Sequence, residues 1–347
     1  MRAPALWLRR EAALHERRTV LVPADAAKLV ADGVQVTVEL AEQRAFPIEE
    51  YAAAGCRVVP GDTWPDAAPE EYILGLKEPS PAAHELRHRH IFFGHAFKGQ
   101  SGGQALLDRI TAGEGTLLDL EALVDEGSRR VVAFGFWAGY VGAALAVLHQ
   151  RGELWPPLRS MTRTELDGLL RAGGHGERAL VVGALGRSGR GASAALTVAG
   201  ADVTQWDVAE TRQLDSEAVL GHDILVNAIF STEPGEPILN HDALGRRDRT
   251  LTTVSDVTCD VTSACNRLPV NDTVTTWAAP ARRLTDGPPP LDILAIDNLP
   301  SLVPRESSAA FSSELVPHLR VLGEQAPIWR RCEQQFCDAL TRLGQMK

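Results

Sequence analysis

The residues best suited to move protons lie at the ends of two short apolar runs. Lys77 and Glu78 follow the run at 72–76, and His95 and Lys98 follow the run at 90–94. In open α/β sheets the carboxyl ends of the strands are where ligands bind. A lysine whose pKa is lowered by burial or nearby charge exchanges protons near neutrality, and a histidine does so with little perturbation. Together they suit a reaction that moves several protons, such as interconversion of an amine, a carbinolamine and a carbonyl. Glu78 and Glu121 could tune these charges. Arg18, Arg129 and Arg130 could hold substrate carboxylates in two-pronged fashion. The competing reading is surface decoration, because strand-end lysines and histidines are also common on solvated faces.

A cofactor for such chemistry is suggested further along. The strand-like run 180–182 is followed by Gly183, Gly186 and Gly189, and then by a small-residue helix. Gly183 would allow the tight turn, Gly186 a close approach to a pyrophosphate, and Gly189 the packing of helix on strand. The helix N-terminus then faces the phosphates. The next strand-like run, 201–206, ends at Asp207, about where a carboxylate takes the ribose hydroxyls. A carboxylate there repels a 2′-phosphate, which favours NAD over NADP. The spacing is GxxGxxG, so the order of strand, turn, helix and acid carries the argument.

Other titratable clusters are read as structural. His84, His88 and His90 resemble a metal cluster, but no carboxylate or cysteine ligand accompanies them, and a solvated helix face is expected. The basic run 245–249, with Arg246 and Arg247, reads as a solvated loop. The five cysteines are odd in number and have no CxxC spacing. Free thiols in a reducing cytoplasm are expected, with no metal.

These groups need elements to position them. The first ~130 residues alternate short apolar runs with helix-like segments, as βα units do. Residues 20–22 lead into a helix at 25–32, 34–38 alternate like a strand, and 49–54 read as a helix before a strand at 57–59. Another strand is expected at 115–120. Residues 134–148 read as a small-residue helix that lets a neighbour approach closely and marks a domain crossing. A second α/β unit begins at 178, with further strands at 223–228, 251–257 and 292–296. The last ~40 residues read as helix. The 347 residues suit two domains, and the net charge of −10 gives no general reason to bind nucleic acid or an anionic membrane. The longest apolar stretch, 131–148, is too glycine-broken to span a bilayer, and the N-terminus lacks a signal-peptide core.

Several stretches together resemble a known family, the NAD-dependent, lysine-forming saccharopine dehydrogenases within the alanine dehydrogenase-like group. The motifs are LRREAALHERRTVLVP, ILGLKE, FFGHAFKGQ, GTLLDLE, RRVVAFGFWAGYVGAALAV, VVGALGRSGRGA, QWDVAET, DILVNAIF and AIDNLPSLVPRESSAAFSSELVP. They follow the family's order over nearly the whole chain.

The resemblance implies two Rossmann-like α/β domains with an interdomain cleft. The substrate domain would be 1–133 plus about 320–347, and the NAD domain 134–319. It implies reversible conversion of saccharopine, NAD and water to lysine, 2-oxoglutarate and NADH in a cytoplasmic monomer or small homo-oligomer. Lys77 would handle the proton of the secondary amine, and His95 would serve imine hydrolysis. Glu78, Lys98 and Glu121 match neighbouring charged positions, and Arg18 and Arg130 match arginines near the substrate carboxylates. Gly183, Gly186, Arg187 and Gly189 match the cofactor loop, Asp207 the ribose acid and Asp297 an acid near the nicotinamide. The chain departs from some fungal members at Ser188 and Ala228, where cysteines stand, and a disulfide linking those positions is therefore not expected here. An alanine or opine dehydrogenase-like enzyme with another amine or oxoacid, and a non-catalytic NAD-binding regulator, remain alternatives.

Overall fold

A computed structural model of the chain describes residues 4–13, 15–97, 102–174, 176–231, 233–324 and 326–346. The chain divides into two compact units, Met1–Ala133 with Ser307–Lys347, and Phe134–Glu306.

The first unit is built on β1 (Ala5–Leu8), β2 (Gln35–Glu39), β3 (Arg57–Val59), β4 (Tyr72–Leu74), β5 (Arg89–Phe92) and β6 (Thr116–Asp119), with helices α1 (Pro23–Ala31), α2 (Ile48–Ala53) and α3 (Gly103–Ala112) between them. All six strands pair in parallel in the order β3-β2-β1-β4-β5-β6. Leu6, Leu8, Ile73, Leu74, Ile91 and Phe92 are all at most 1% exposed, as expected for parallel strands covered on both faces. The winding reverses between β1 and β4, so the crevice at their carboxyl ends is the switch point of this sheet.

β1 was not expected. Its four residues, ALWL, are too few to show a period and run straight into Arg9 and Arg10. The expected helix face for His84, His88 and His90 is also corrected. The segment is extended, and His88, His90 and Phe92 alternate inward at the period of a strand. His84 is exposed, whereas His90 is fully buried against Trp64 and Phe92. Burial, helped by the nearby Arg9, pushes the His90 pKa down to about 3 and keeps the ring neutral.

The second unit contains α4 (Gly135–Gln150), α5 (Arg163–Ala172), β7 (Arg178–Val182), α6 (Arg187–Ala199), β8 (Asp202–Trp206), α7 (Val208–Thr211), α8 (Ser216–Leu220), β9 (Ile224–Asn227), α9 (His241–Leu244), β10 (Thr253–Asp256), β11 (Arg282–Thr285) and β12 (Leu291–Leu294). The strand order is β11-β12-β10-β9-β7-β8, parallel except for β11. Its winding reverses between β7 and β9. The close neighbour of α4 is α6. A Cβ on Gly139 would lie 1.7 Å from the Ser188 carbonyl, and one on Gly191 would lie 1.9 Å from that of Phe136. The two backbones touch, which only glycine permits. A capping box between Thr162 and Glu165 starts α5, a helix the sequence reading passed over.

The chain returns to the first unit through α10 (Pro304–Arg320) and α11 (Pro327–Met346). The division falls at 306/307 rather than near 320, because the buried serines of α10 serve the first unit. Ser308 accepts from the Thr19 amide at 2.9 Å, and Ser312 accepts from the Val22 amide at 3.1 Å and donates to Asp25 at 2.6 Å. Helix α11 seats Trp329, Cys332, Phe336 and Ala339, one stripe at helical spacing, in the core. Among the described residues no helix is long and apolar enough to cross a membrane.

Candidate active site

At the carboxyl edge of the first sheet the ends of β1, β4, β5 and β6 each contribute charged groups. Glu16 and Arg18 follow β1 and are 2% and 4% exposed. Arg18 grips Glu16 with two prongs, Nε to Oε1 at 2.8 Å and Nη2 to Oε2 at 2.7 Å. Burial alone would raise the Glu16 carboxyl. Arg18 and the nearby Lys77 ammonium more than offset it and hold the group below the usual range. Glu16 is therefore a charged neighbour of Lys77 that sequence reasoning missed. Its only sequence signal was its place in a run of alternating charges beside Arg17 and Arg18.

Lys77 is exposed just beyond β4. Glu78 turns away to Arg109 of α3, which also donates to the Ser80 and Ala83 carbonyls at 2.8 and 2.7 Å. His95 follows β5 with φ +49°, a left-handed conformation uncommon for a side-chain-bearing residue and often found at functional sites. Its ring stacks on Phe93 at 5.9 Å, and its Nδ1 lies 3.1 Å from Glu121 Oε2. Arg130 approaches the other Glu121 oxygen at 3.6 Å. Below them Asp119, 1% exposed, accepts from the Glu121 and Gly94 amides, yet burial holds its carboxyl above the ordinary range. The edge thus brings His95, Glu121 and Arg130 into one chain of contacts, and sets the Arg18–Glu16 pair within the electrostatic reach of Lys77. Lys98 lies outside the described residues, and Arg129 is exposed in a turn closed on Asp125.

The second sheet's carboxyl edge is different in kind. Gly183 has φ +84°, and a Cβ on it would meet the Ala228 carbonyl at 2.8 Å. Gly189 would strike the Gly183 carbonyl at 2.1 Å. Both glycines are needed by the fold. Gly186, the N-cap of α6, is not, since a Cβ there meets only the Gly183 carbonyl at 3.3 Å. Its lack of a side chain leaves space above the helix N-terminus, where backbone N–H groups lack intrahelical partners and attract anions. The residues fit a dinucleotide pyrophosphate on that ground.

Asp207 caps α7 and accepts from the Leu185 amide at 2.9 Å, so it braces the loop as well as ending β8. Leu185 and Val208 beside it are 69% and 59% exposed. Arg187 opens α6 and is half-buried.

At the ends of β9 and β10 lies a buried network the sequence reading did not find. Asp256, 1% exposed, accepts from Asn227 and Asn271 at 3.0 Å each, and Arg282 donates to Asn271 at 2.9 Å. Burial raises the Asp256 carboxyl. Asp297 is exposed after β12. The five cysteines are all free, and no group of three or more His, Cys, Asp or Glu among the described residues is placed to hold a metal ion.

Residues 7–141 match the family model "Alanine dehydrogenase/PNT, N-terminal domain". In overall fold the chain resembles an L-alanine dehydrogenase, with a TM-score of 0.70 at 16% identity over 96% of this chain and 93% of that one. It also resembles a transhydrogenase from Sinorhizobium meliloti, with a TM-score of 0.62 at 17% identity over 92% and 94%. These likenesses show the α/β fold of two Rossmann-like sheets. Saccharopine dehydrogenase [NAD(+), L-lysine-forming] of Neurospora crassa is 39% identical over 99% of this chain and 98% of its own length. The protein of the same name from Schizosaccharomyces pombe is 37% identical over 99% and 100%. The chain belongs to the NAD-dependent, L-lysine-forming saccharopine dehydrogenase family of oxidoreductases.

Proposed function

We propose that this protein catalyses the reversible NAD-dependent oxidative deamination of saccharopine to L-lysine and 2-oxoglutarate. The observation that carries the reading is 36–39% identity over 95–99% of the chain to six relatives named for that activity. The side chains at the first sheet's edge support it, since the reaction must move protons at nitrogen and at the hydrated carbon.

Lys77 takes the proton of the substrate's secondary amine at Nζ. When bound, NAD would supply a hydride acceptor for the glutarate-side carbon attached to this nitrogen. His95 relays protons to and from water as the resulting imine is hydrolysed. Glu121 engages Nδ1, which fixes the ring and directs Nε2 to the substrate. Arg130 is the more exposed carboxylate holder, while Arg18, buried and gripped by Glu16, acts from beneath. Glu78 and Lys98 complete the charged surroundings. Gly183, Gly186, Arg187 and Gly189 hold the pyrophosphate, Asp207 takes the ribose hydroxyls and discourages a 2′-phosphate, and Asp297 lies toward the nicotinamide. Free cysteines suit a cytoplasmic setting.

One assay tests the reading. Purified protein is mixed with NADH and 2-oxoglutarate while the amine is varied across lysine, ornithine, alanine and ammonia, with ammonia and pyruvate run alongside. Loss of NADH with lysine alone is expected. Loss with ammonia and pyruvate would assign the protein to alanine dehydrogenase chemistry. Tight NADH binding with no turnover of any pair would make it a regulator.

A further inference from the structure

Lys77 is exposed past the end of its strand, yet its peptide is gripped from both sides. Glu11, which follows β1, is 7% exposed. One of its carboxylate oxygens accepts from the Leu76 amide at 2.7 Å, and the other accepts from the Lys77 amide at 3.0 Å. Arg9 is 1% exposed. Its Nη2 donates to the Lys77 carbonyl, and its Nη1 donates to Glu11 at 3.4 Å and to the Arg10 carbonyl at 3.0 Å. A buried guanidinium and carboxylate are tolerable only when paired and hydrogen-bonded. A purely structural pair could be satisfied anywhere along the chain. Here each partner also bonds to the same residue, Lys77, Glu11 at its amide and Arg9 at its carbonyl.

The surroundings are shaped for this grip. A Cβ on Gly75 would come within 2.5 Å of the Arg9 guanidinium, so the glycine in the LGLKE run makes room for it. The gripping segment is itself fixed. The Arg9 amide donates to the Leu74 carbonyl at 3.0 Å, Arg44 donates to the Arg9 carbonyl at 3.2 Å, and Gln43 donates to the Glu11 carbonyl at 2.9 Å. The end of β1 therefore holds the end of β4 across the switch point of the sheet.

We infer that Arg9 and Glu11 are positioning residues for the reaction, fixing the Lys77 peptide and with it the root and direction of the Lys77 ammonium. The inference rests on the reading of Lys77 as the group that takes the amine proton. A lysine reaches its substrate through a flexible stem, and proton transfer needs hydrogen-bond distance. Fixing the root removes the backbone's share of the misalignment, where an ångström can cost about a hundredfold in rate.

The experiment compares Glu11→Gln, Gly75→Ala and Lys77→Met in steady-state assays across pH. Glu11→Gln keeps the shape but turns an amide donor toward a backbone donor. Gly75→Ala displaces Arg9 without touching Glu11 or Lys77. Each is expected to lower kcat about tenfold to a hundredfold and to move the limb of the kcat–pH profile that Lys77→Met abolishes. KM values and NADH affinity stay within about threefold, since uniform binding is untouched. Glu11→Asp, which keeps the charge, should recover part of the rate. Parental kcat and pH profile in Glu11→Gln and Gly75→Ala, with Lys77→Met inactive, would overturn the positioning role and leave Lys77 catalytic. Full activity in Lys77→Met would overturn the reading of Lys77 and the positioning role with it. Amide exchange in the unmodified protein gives a check that needs no variant. The Lys77 amide should be protected despite its exposed side chain, and rapid exchange would overturn the grip however the variants fold.

Discussion

The two sheets share a strand number and a mostly parallel pairing, but their carboxyl edges are built from opposite materials. The first edge is made of ionisable side chains: Glu16 with Arg18, Lys77, His95 with Glu121, and Asp119 beneath. The second is made of what is missing from side chains. Gly183, Gly186 and Gly189 expose backbone, and a buried carboxylate at the sheet's edge, Asp256, is held by asparagine donors. On the proposed function, the difference separates two tasks. Moving protons needs groups that can change charge, whereas holding a charged ligand in a fixed place needs dipoles that cannot.

That contrast can be broken at its strongest point first. Lys77→Met and His95→Gln should each lower turnover by about a hundredfold or more and leave NADH affinity nearly intact, as steady-state rates and NADH fluorescence titration will report. A parallel loss of NADH affinity would mean that the edges do not divide the labour. The glycines sharpen the comparison next. Gly183→Ala forces a side chain into a left-handed backbone against the Ala228 carbonyl and should destabilise the protein by about 1–3 kcal/mol in urea melts. Gly186→Val should change stability by less than about 1 kcal/mol but weaken NAD about tenfold or more, because its side chain occupies space the fold leaves open. Asp207→Ala should weaken NAD and narrow the preference over NADP if its carboxylate takes the ribose hydroxyls as proposed, and it should cost about 1 kcal/mol of helix capping.

At neutral pH the smallest effect concerns His90, whose folded pKa lies far below its unfolded value of about 6.5. Above that value both states are neutral and nothing is lost. Below it the unfolded chain takes up a proton that the folded chain refuses, so stability falls as pH drops from about 6.5 toward 3. His90→Leu should flatten this part of the curve relative to the parent, by an amount on the order of a few kcal/mol at the acid end. Identical slopes for the two proteins would show that the ring is hydrated or charged in the fold.

Much of the fold is written in local pattern, and so are the chemical groups that end a recognisable strand. Lys77 and His95 could be found because apolar runs lead straight to them, and Gly183, Gly186 and Asp207 because turn, helix and acid occur in order. What was not legible depends on distant partners. Arg9, Glu11 and Glu16 sit in an irregular stretch after a strand too short to show alternation. Asp256 is defined by Asn227 and Asn271, which no periodicity connects to it. β11, an RRLT edge strand, has no apolar run to announce it. His90 misled for a related reason, since three histidines suggest solvent or metal until the neighbouring Trp64 is placed against them.

The serines of α10 have a consequence for the order in which the protein is made. The Thr19 and Val22 amides donate to Ser308 and Ser312, and the core beneath β6 is filled by Cys332 and Phe336. A chain emerging from the ribosome therefore displays its first ~130 residues long before it can finish burying them. The unit begun second, complete at Glu306, has all its residues in hand first. The half that is made earlier is the half that closes later.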